Sequence, residues 1–115
     1  MRTALDSPRH GQAITQPFWV SGWTADLAAT EGTGIDAAHV WAYPVGQVAP
    51  VFLGFGLLGD ARPDVATVYG RQFERSAYNV LVSNLRPGVY DIVAYPHRVA
   101  TNTFDGARVV RVVVR

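Results

Sequence analysis

Short stretches with a period of two, each ended by a turn, constrain the fold of this chain more than any other feature of its sequence. From Tyr78 to Val82, tyrosine and valine at even positions alternate with Asn79 and Leu81. This is the pattern of a β-strand that buries one face. Pro, Gly, Asn and Asp recur between such stretches at intervals that suit a β-sandwich, and no 3.6-residue apolar stripe exceeds two turns. The predicted strands are Thr3–Asp6 continued by Gln12–Ile14, Phe18–Thr24, Ile35–Tyr43, Val51–Leu57, Tyr78–Val82, Val89–His97 and Ala107–Val114.

The chain has 115 residues, of which 49% are hydrophobic, enough for one packed core and too few residues for two. We therefore expect a single domain over residues 1–115, all-β, with about seven antiparallel strands in two sheets. The connection from Asp60 to Phe73 has no period of two. Because Pro63 suits the first turn of a helix, we predict a short helical turn within this connection.

The stretch Leu85-Arg86-Pro87-Gly88-Val89-Tyr90 is the most informative motif in the chain. Pro87 and Gly88 fit the two central positions of a type II turn. Tyr90 then opens a strand, and a buried phenol is stable only when its hydroxyl finds a partner. In immunoglobulin-like domains a tyrosine at this place donates its hydroxyl to the backbone of the preceding turn. Leu85, Pro87, Gly88 and Tyr90 are thus predicted to form a structural corner.

With this corner, Ser21-Gly22-Trp23 and the final strand Val109–Val114, the chain resembles bacterial immunoglobulin-like and fibronectin type III-like modules. The resemblance implies an immunoglobulin-like sandwich that serves as a non-catalytic accessory, spacer or interaction module of a larger exported or surface-associated bacterial protein. It also implies an extracellular or cell-surface location, with neighbouring domains of the parent protein as partners. The chain departs from the antibody pattern because it has no Cys pair, and the connection from Gly59 to Phe73 is longer than a plain module requires.

The composition argues against several classes of function. The net charge is +1 and the ten basic residues, all Arg, are scattered, so we expect neither nucleic-acid binding nor attraction to an acidic membrane. No apolar run approaches the ~18 residues of a membrane span. Without Cys or Lys there is no thiol nucleophile and no Schiff-base lysine. No nucleophile elbow surrounds a serine, and Asp60 and Asp64 beside Arg62 and Pro63 fit turn chemistry. We expect no enzyme activity and no cofactor.

The third predicted strand offers a second functional hypothesis. Its small residues at positions 38, 40 and 42 suit the core, which would turn Trp41 outward. Trp41, Tyr43 and Tyr95 would then form a flat aromatic platform flanked by His39 and His97. Because flat rings stack on sugars, the platform would suit a carbohydrate-binding module with a glycan as partner.

An alternative interpretation hides this platform. The connection between Gly59 and Phe73 would then pack Val65, Val68 and Tyr69 over it, since monomers rarely leave aromatic patches exposed. The sequence leaves both arrangements open. Self-association is a further expectation, because the fourth or the last predicted strand would present an unpaired edge.

Metal binding has weak candidates only. Asp26, Glu31 and Asp36 lie in one loop region with oxygen ligands for calcium, but their spacing matches no EF-hand. His39 and His97 would supply two zinc ligands without a clear third. We therefore predict no metal site.

Overall fold

The computed structural model describes residues 1–46 and 49–115. Within these ranges the chain forms nine strands, one short α-helix and one 3₁₀ turn. The strands are β1 (Arg2–Ser7), β2 (Ala13–Ile14), β3 (Phe18–Ala25), β4 (Ile35–Pro44), β5 (Val51–Leu57), β6 (Ala77–Val82), β7 (Gly88–Arg98), β8 (Thr103–Phe104) and β9 (Arg108–Val114). The helix α1 is Pro63–Tyr69, and the 3₁₀ turn is Arg71–Phe73.

The strands form two sheets. The smaller sheet has the order β1-β3-β6 and is antiparallel throughout. The larger sheet has six strands in the order β2-β9-β7-β4-β5, with β8 paired to β7. Only β2 runs parallel to its neighbour, β9. The first strand region is thus divided between the sheets, as the sequence predicts for Thr3–Asp6 and Gln12–Ile14.

The two sheets enclose one main core, because their strands bury alternate residues. In β3, Phe18 and Val20 point inward while Trp19 is exposed. In β4, the small residues Ala38, Val40 and Ala42 are fully buried. The prediction that the small face of β4 points inward is therefore confirmed, and the chain is a small all-β sandwich-like domain.

Each of two buried tyrosines donates a hydrogen bond from its hydroxyl to a backbone carbonyl inside this sandwich. The hydroxyl of Tyr90 donates to Arg86 O at 2.7 Å, which is the bond that the corner motif predicts. The hydroxyl of Tyr78 donates to Ala4 O, also at 2.7 Å, and so links β6 to β1 across β3. A Cβ at Gly22 would lie 2.0 Å from Ala4 O and 2.7 Å from the Tyr78 hydroxyl, so only glycine leaves room for this bond.

The corner has a second fastening that the motif does not reveal. The side chain of Gln16 accepts a hydrogen bond from Leu85 N at 2.7 Å and donates one to Leu85 O. Leu85 itself is buried in the main core. Gln16 therefore fixes the backbone at Leu85, just before β7 begins.

Three sequence-based expectations need correction. The strand number is nine rather than about seven, because β2 counts separately and the two-residue β8 is too short for periodicity to reveal. The type II turn is wrong, since Gly88 has a φ of 159° where that turn needs about 80°, and it already pairs with Val114. The last strand is not a free edge along Val113, where Ala13 of β2 lies beside it; β5 is an edge of the larger sheet.

The predicted helical turn is present as α1, with Pro63 at its start. Val65 and Phe73 are buried against Ala25 of β3, and Trp23 and Tyr69 pack at the margin of this second cluster. The guanidinium of Arg62 forms ion pairs with Asp64 and with Asp6 of β1, both at 2.8 Å. The connection therefore packs on the smaller sheet, and of the two arrangements left open by the sequence, the one in which it covers the platform is wrong. No helix in the described part of the chain has the length and apolarity to cross a membrane.

Candidate functional site

The strand register of the larger sheet brings the predicted site residues onto one outer face. His39 of β4 lies opposite Tyr95 of β7, and Trp41 lies opposite Val93. Tyr43 follows two residues later on the same face. Because alternate residues of β4 and β7 fill the core, these side chains point away from it.

Strand β5 adds two phenylalanines that sequence analysis missed. Phe55 lies opposite His39 and Phe52 opposite Trp41, with an irregularity in register between them. A spacing of three would place them on opposite faces of a regular strand, but the extra residue turns both outward. Gly54 lies between them with a φ of 132°, a conformation that glycine adopts readily. A glycine inside a predicted strand was the signal for this bulge.

Phe104 completes the group from the far side. It belongs to β8 and pairs with His97 of β7. Its strand has two residues only, so no alternation marks it in the sequence. We define the aromatic face by the outward side chains of His39, Trp41, Tyr43, Phe52, Phe55, Tyr95, His97 and Phe104.

Six rings of the aromatic face, all except Tyr43 and Tyr95, are linked by close ring pairs. His39 lies at its centre, with ring centroids 4.8 Å from Phe104, 5.7 Å from Phe52 and 5.8 Å from Phe55. Trp41 and Phe52 are 5.0 Å apart. All of these separations fall within the usual range for aromatic pairs. The cluster is therefore a continuous layer rather than a set of isolated rings.

The face is exposed in spite of this packing. Phe55 is 59% exposed, Phe104 49% and Phe52 46%. A shallow depression of about 350 Å³ lies on this face, lined by His39, Trp41, Tyr95 and Phe104. Its walls are almost wholly apolar, so it favours contact with apolar atoms or with the flat face of a ring.

A pair of tyrosines borders the depression. The hydroxyls of Tyr43 and Tyr95 are 2.8 Å apart and share a hydrogen bond. This bond, followed by partial burial, raises the pKa of Tyr95 to about 12. The Tyr95 hydroxyl therefore stays neutral at physiological pH. One O–H of the pair remains available as a donor to a ligand.

His97 is engaged within the protein rather than free to bind a ligand. Its Nδ1 is 2.7 Å from the Asp36 carboxylate, and its Nε2 is 2.9 Å from Asn102 Oδ1. The Asp36 bond first, and the Asn102 bond second, raise the pKa of His97 above its usual range. With both acceptors in place, the imidazolium is the form that satisfies both contacts. The arrangement attaches the turn between β7 and β8 to β4.

The weak calcium candidates are not brought together. Asp26 is buried and accepts hydrogen bonds from Arg98 Nε at 2.8 Å and from Ala28 N at 3.0 Å. The Arg98 bond, acting against burial, holds the pKa of Asp26 below its usual range. Asp36 is paired with His97 instead, and Glu31 joins neither. Across residues 1–46 and 49–115 no group of three or more acidic, His or Cys side chains has the geometry of a metal site.

An ion pair stands at the end of the face beside Tyr43. Arg111 of β9 binds the Asp91 carboxylate of β7 through two hydrogen bonds of 2.8 and 3.0 Å. These bonds hold the pKa of Asp91 below its usual range. Because the two charges neutralise each other, the surface around the aromatic rings carries little net charge.

No protein-family model matches the sequence, and no curated protein matches it.

Proposed function

We propose that this chain is a non-catalytic interaction module of the immunoglobulin-like type, and that its aromatic face is the contact surface. We place it in a larger exported or surface-associated bacterial protein, at the cell surface or outside the cell. The observation that carries the proposal is the group of three phenylalanines that stay about half exposed on one sheet. A continuous exposed apolar patch of this kind is typical of a protein–protein contact.

The strand order supports the immunoglobulin-like assignment. In the constant-type arrangement the first, second, fourth and fifth strands of the conventional labelling share one sheet, and the third, sixth and seventh share the other. Here β1, β3 and β6 occupy the places of the first, second and fifth strands, and β4, β7 and β9 those of the third, sixth and seventh. The chain departs from that arrangement at β5, which pairs with β4 in the larger sheet. The Tyr90 bond to Arg86 O matches the tyrosine corner of the same class.

The chemistry of the face favours an apolar protein partner, such as a neighbouring domain of the parent protein. Its rings are mostly phenylalanine, and Asp91 and Arg111 neutralise each other at one end. An uncharged surface gives little attraction to nucleic acid or to acidic lipid headgroups. Burying three half-exposed phenylalanines would supply the apolar contact that the core of a protein interface requires.

Capture from a surface fraction of the source bacterium tests this proposal. The immobilised chain should retain a partner that also binds as a purified protein in calorimetry. Phe55→Arg should abolish that binding, because it places a charge in the aromatic face. Leu81→Arg, at a position on the smaller sheet that is also about half exposed, should leave it unchanged. Equal loss in both variants, or no loss in Phe55→Arg, would contradict the proposal.

Glycan binding is a second candidate function. The observation that favours it is the depression itself, where Trp41 and Tyr95 meet beside a hydroxyl that can still donate. Sugar rings stack on such side chains, and the hydroxyl could orient one sugar oxygen. Titration with a glycan panel should shift the tryptophan fluorescence of the wild type and of Trp19→Ala, but not of Trp41→Ala. A flat response of the wild type across the panel excludes this candidate.

A further inference from the structure

The exposed apolar surface of the larger sheet extends well beyond the aromatic face. Leu57 of β5 is 71% exposed and Val109 of β9 is 58% exposed. Val89 and Val113 are exposed at the opposite end and pair with each other. All four point to the same side as Trp41, as the register with β4 and β7 requires. Apart from the Asp91–Arg111 ion pair, which lies between Val109 and Val113, this side of the domain is therefore apolar from the edge strand β5 to β9.

The size of this surface matches a protein interface. A fully exposed aromatic side chain presents roughly 150–250 Å², and an aliphatic one somewhat less. At the observed exposures, the four exposed aromatic and four exposed aliphatic residues on this side together present on the order of 700 Å². A stable interface takes about 800 Å² from each partner, whereas the largest patch of a typical monomer is about 300–600 Å².

The charges of this side also suit contact with an identical surface. A two-fold axis brings the patch of one chain against the same patch of the other, so a net charge on the patch would face an equal net charge. Here Asp91 is neutralised by Arg111, and Asp36 is hydrogen-bonded to His97, within one chain. The net charge of the chain is +1, so two copies repel each other only weakly.

We infer that the outer side of the larger sheet is a homodimer interface, in which two copies pack face to face about a two-fold axis. Apolar sheet faces pack in the same way inside a sandwich, about 10 Å apart. Pairing would also cover the exposed phenylalanines beside the β5 edge, which otherwise favour aggregation. The inference rests on the proposed function only in assigning contact to the same face, and it names a second copy as the partner.

Sedimentation equilibrium over a concentration series tests the inference. The wild type should reach a mass twice the 12.5 kDa of one chain. Phe55→Arg and Val109→Arg lie in different strands of the face, and each should raise the dimer dissociation constant at least about tenfold. Leu81→Arg on the smaller sheet is the matched control and should dimerise like the wild type. Circular dichroism and the melting temperature establish that each variant is folded. If either Phe55→Arg or Val109→Arg does not fold, the other still tests the interface.

A wild type that stays monomeric up to the highest soluble concentration would overturn the inference. So would a dimer that Leu81→Arg weakens as much as Phe55→Arg does. Neither result decides the proposed function, because a monomer still offers its aromatic face to another protein in the capture experiment. Conversely, a dimer lost in Phe55→Arg, with no other protein captured, would support the second copy as the partner.

Discussion

The outer surfaces of the two sheets differ although both carry aromatic residues. On the smaller sheet, the connection after β5 packs against β3. The ring centroids of Tyr69 and Trp23 are 5.6 Å apart, and Phe73 is buried beside Ala25. On the larger sheet, Phe52, Phe55 and Phe104 have no such cover. The chain thus has a segment long enough to cover an aromatic surface and uses it on one side only. This difference is the basis of the proposal that the open side contacts another molecule.

The connection after β5 does not cover the whole outer surface of the smaller sheet. The part left exposed provides control positions for variants on the larger sheet. Trp19 and Leu81 are paired across β3 and β6, and both are about half exposed. They form a small pair, whereas six of the eight side chains of the aromatic face are linked by ring contacts. Variants at Leu81 therefore report what a change at an exposed apolar residue does when no larger surface surrounds it.

The largest expected effect comes from making one substitution on each side. Phe73→Ala should lower the free energy of unfolding by about 3–5 kcal/mol, because it leaves a cavity beneath α1. Phe55→Ala should change it by less than about 0.5 kcal/mol at concentrations where the chain is monomeric, since a surface side chain contributes little. Urea unfolding followed by circular dichroism measures both. Similar losses in the two variants would break the comparison, because Phe55 would then be part of the structural core.

A smaller effect is expected from a change inside the sandwich. Tyr90→Phe removes the hydroxyl that binds Arg86 O and breaks a part-buried hydrogen bond, at a cost of about 1–3 kcal/mol. Because the bond lies on neither outer surface, the dimer dissociation constant should not change. Thermal unfolding and sedimentation equilibrium test the two statements. An unchanged melting temperature would count against the corner as a source of stability.

The smallest expected effect concerns pH at one end of the open side. Asp36 and Asn102 raise the pKa of His97 in the folded chain, so folding favours the protonated ring. This contribution to stability is fully present below about 6.5, the pKa of a free imidazole, and is lost as the pH rises through the higher folded-state pKa. In His97→Gln this part of the pH dependence of unfolding should disappear. NMR titration of His97 should show its pKa lowered in Asp36→Asn, and an unshifted value there would rule out the carboxylate as the cause.

Much of the fold could be predicted because its cause is local in the sequence. Val51–Leu57 has the predicted bounds, and no end of the other long strands differs from its predicted position by more than one residue. Alternation requires only that one face of a strand be buried, so the small residues of β4 were enough to turn Trp41 outward. The corner motif likewise contains both the donor Tyr90 and the turn that accepts its bond.

Only the tertiary structure decided what surrounds Trp41. Phe52 and Phe55 share its face because of a bulge at Gly54, and Phe104 arrives on a strand too short to show a period. Whether the connection after β5 covers this face depends on which apolar surface α1 packs against. Its Val65 packs in a cluster with Ala25 of the smaller sheet and not on the aromatic face. The sequence by itself determined the alternation that builds two layers, since that pattern acts between neighbouring residues. The open aromatic face comes from contacts between residues far apart in the chain, which no local pattern specifies.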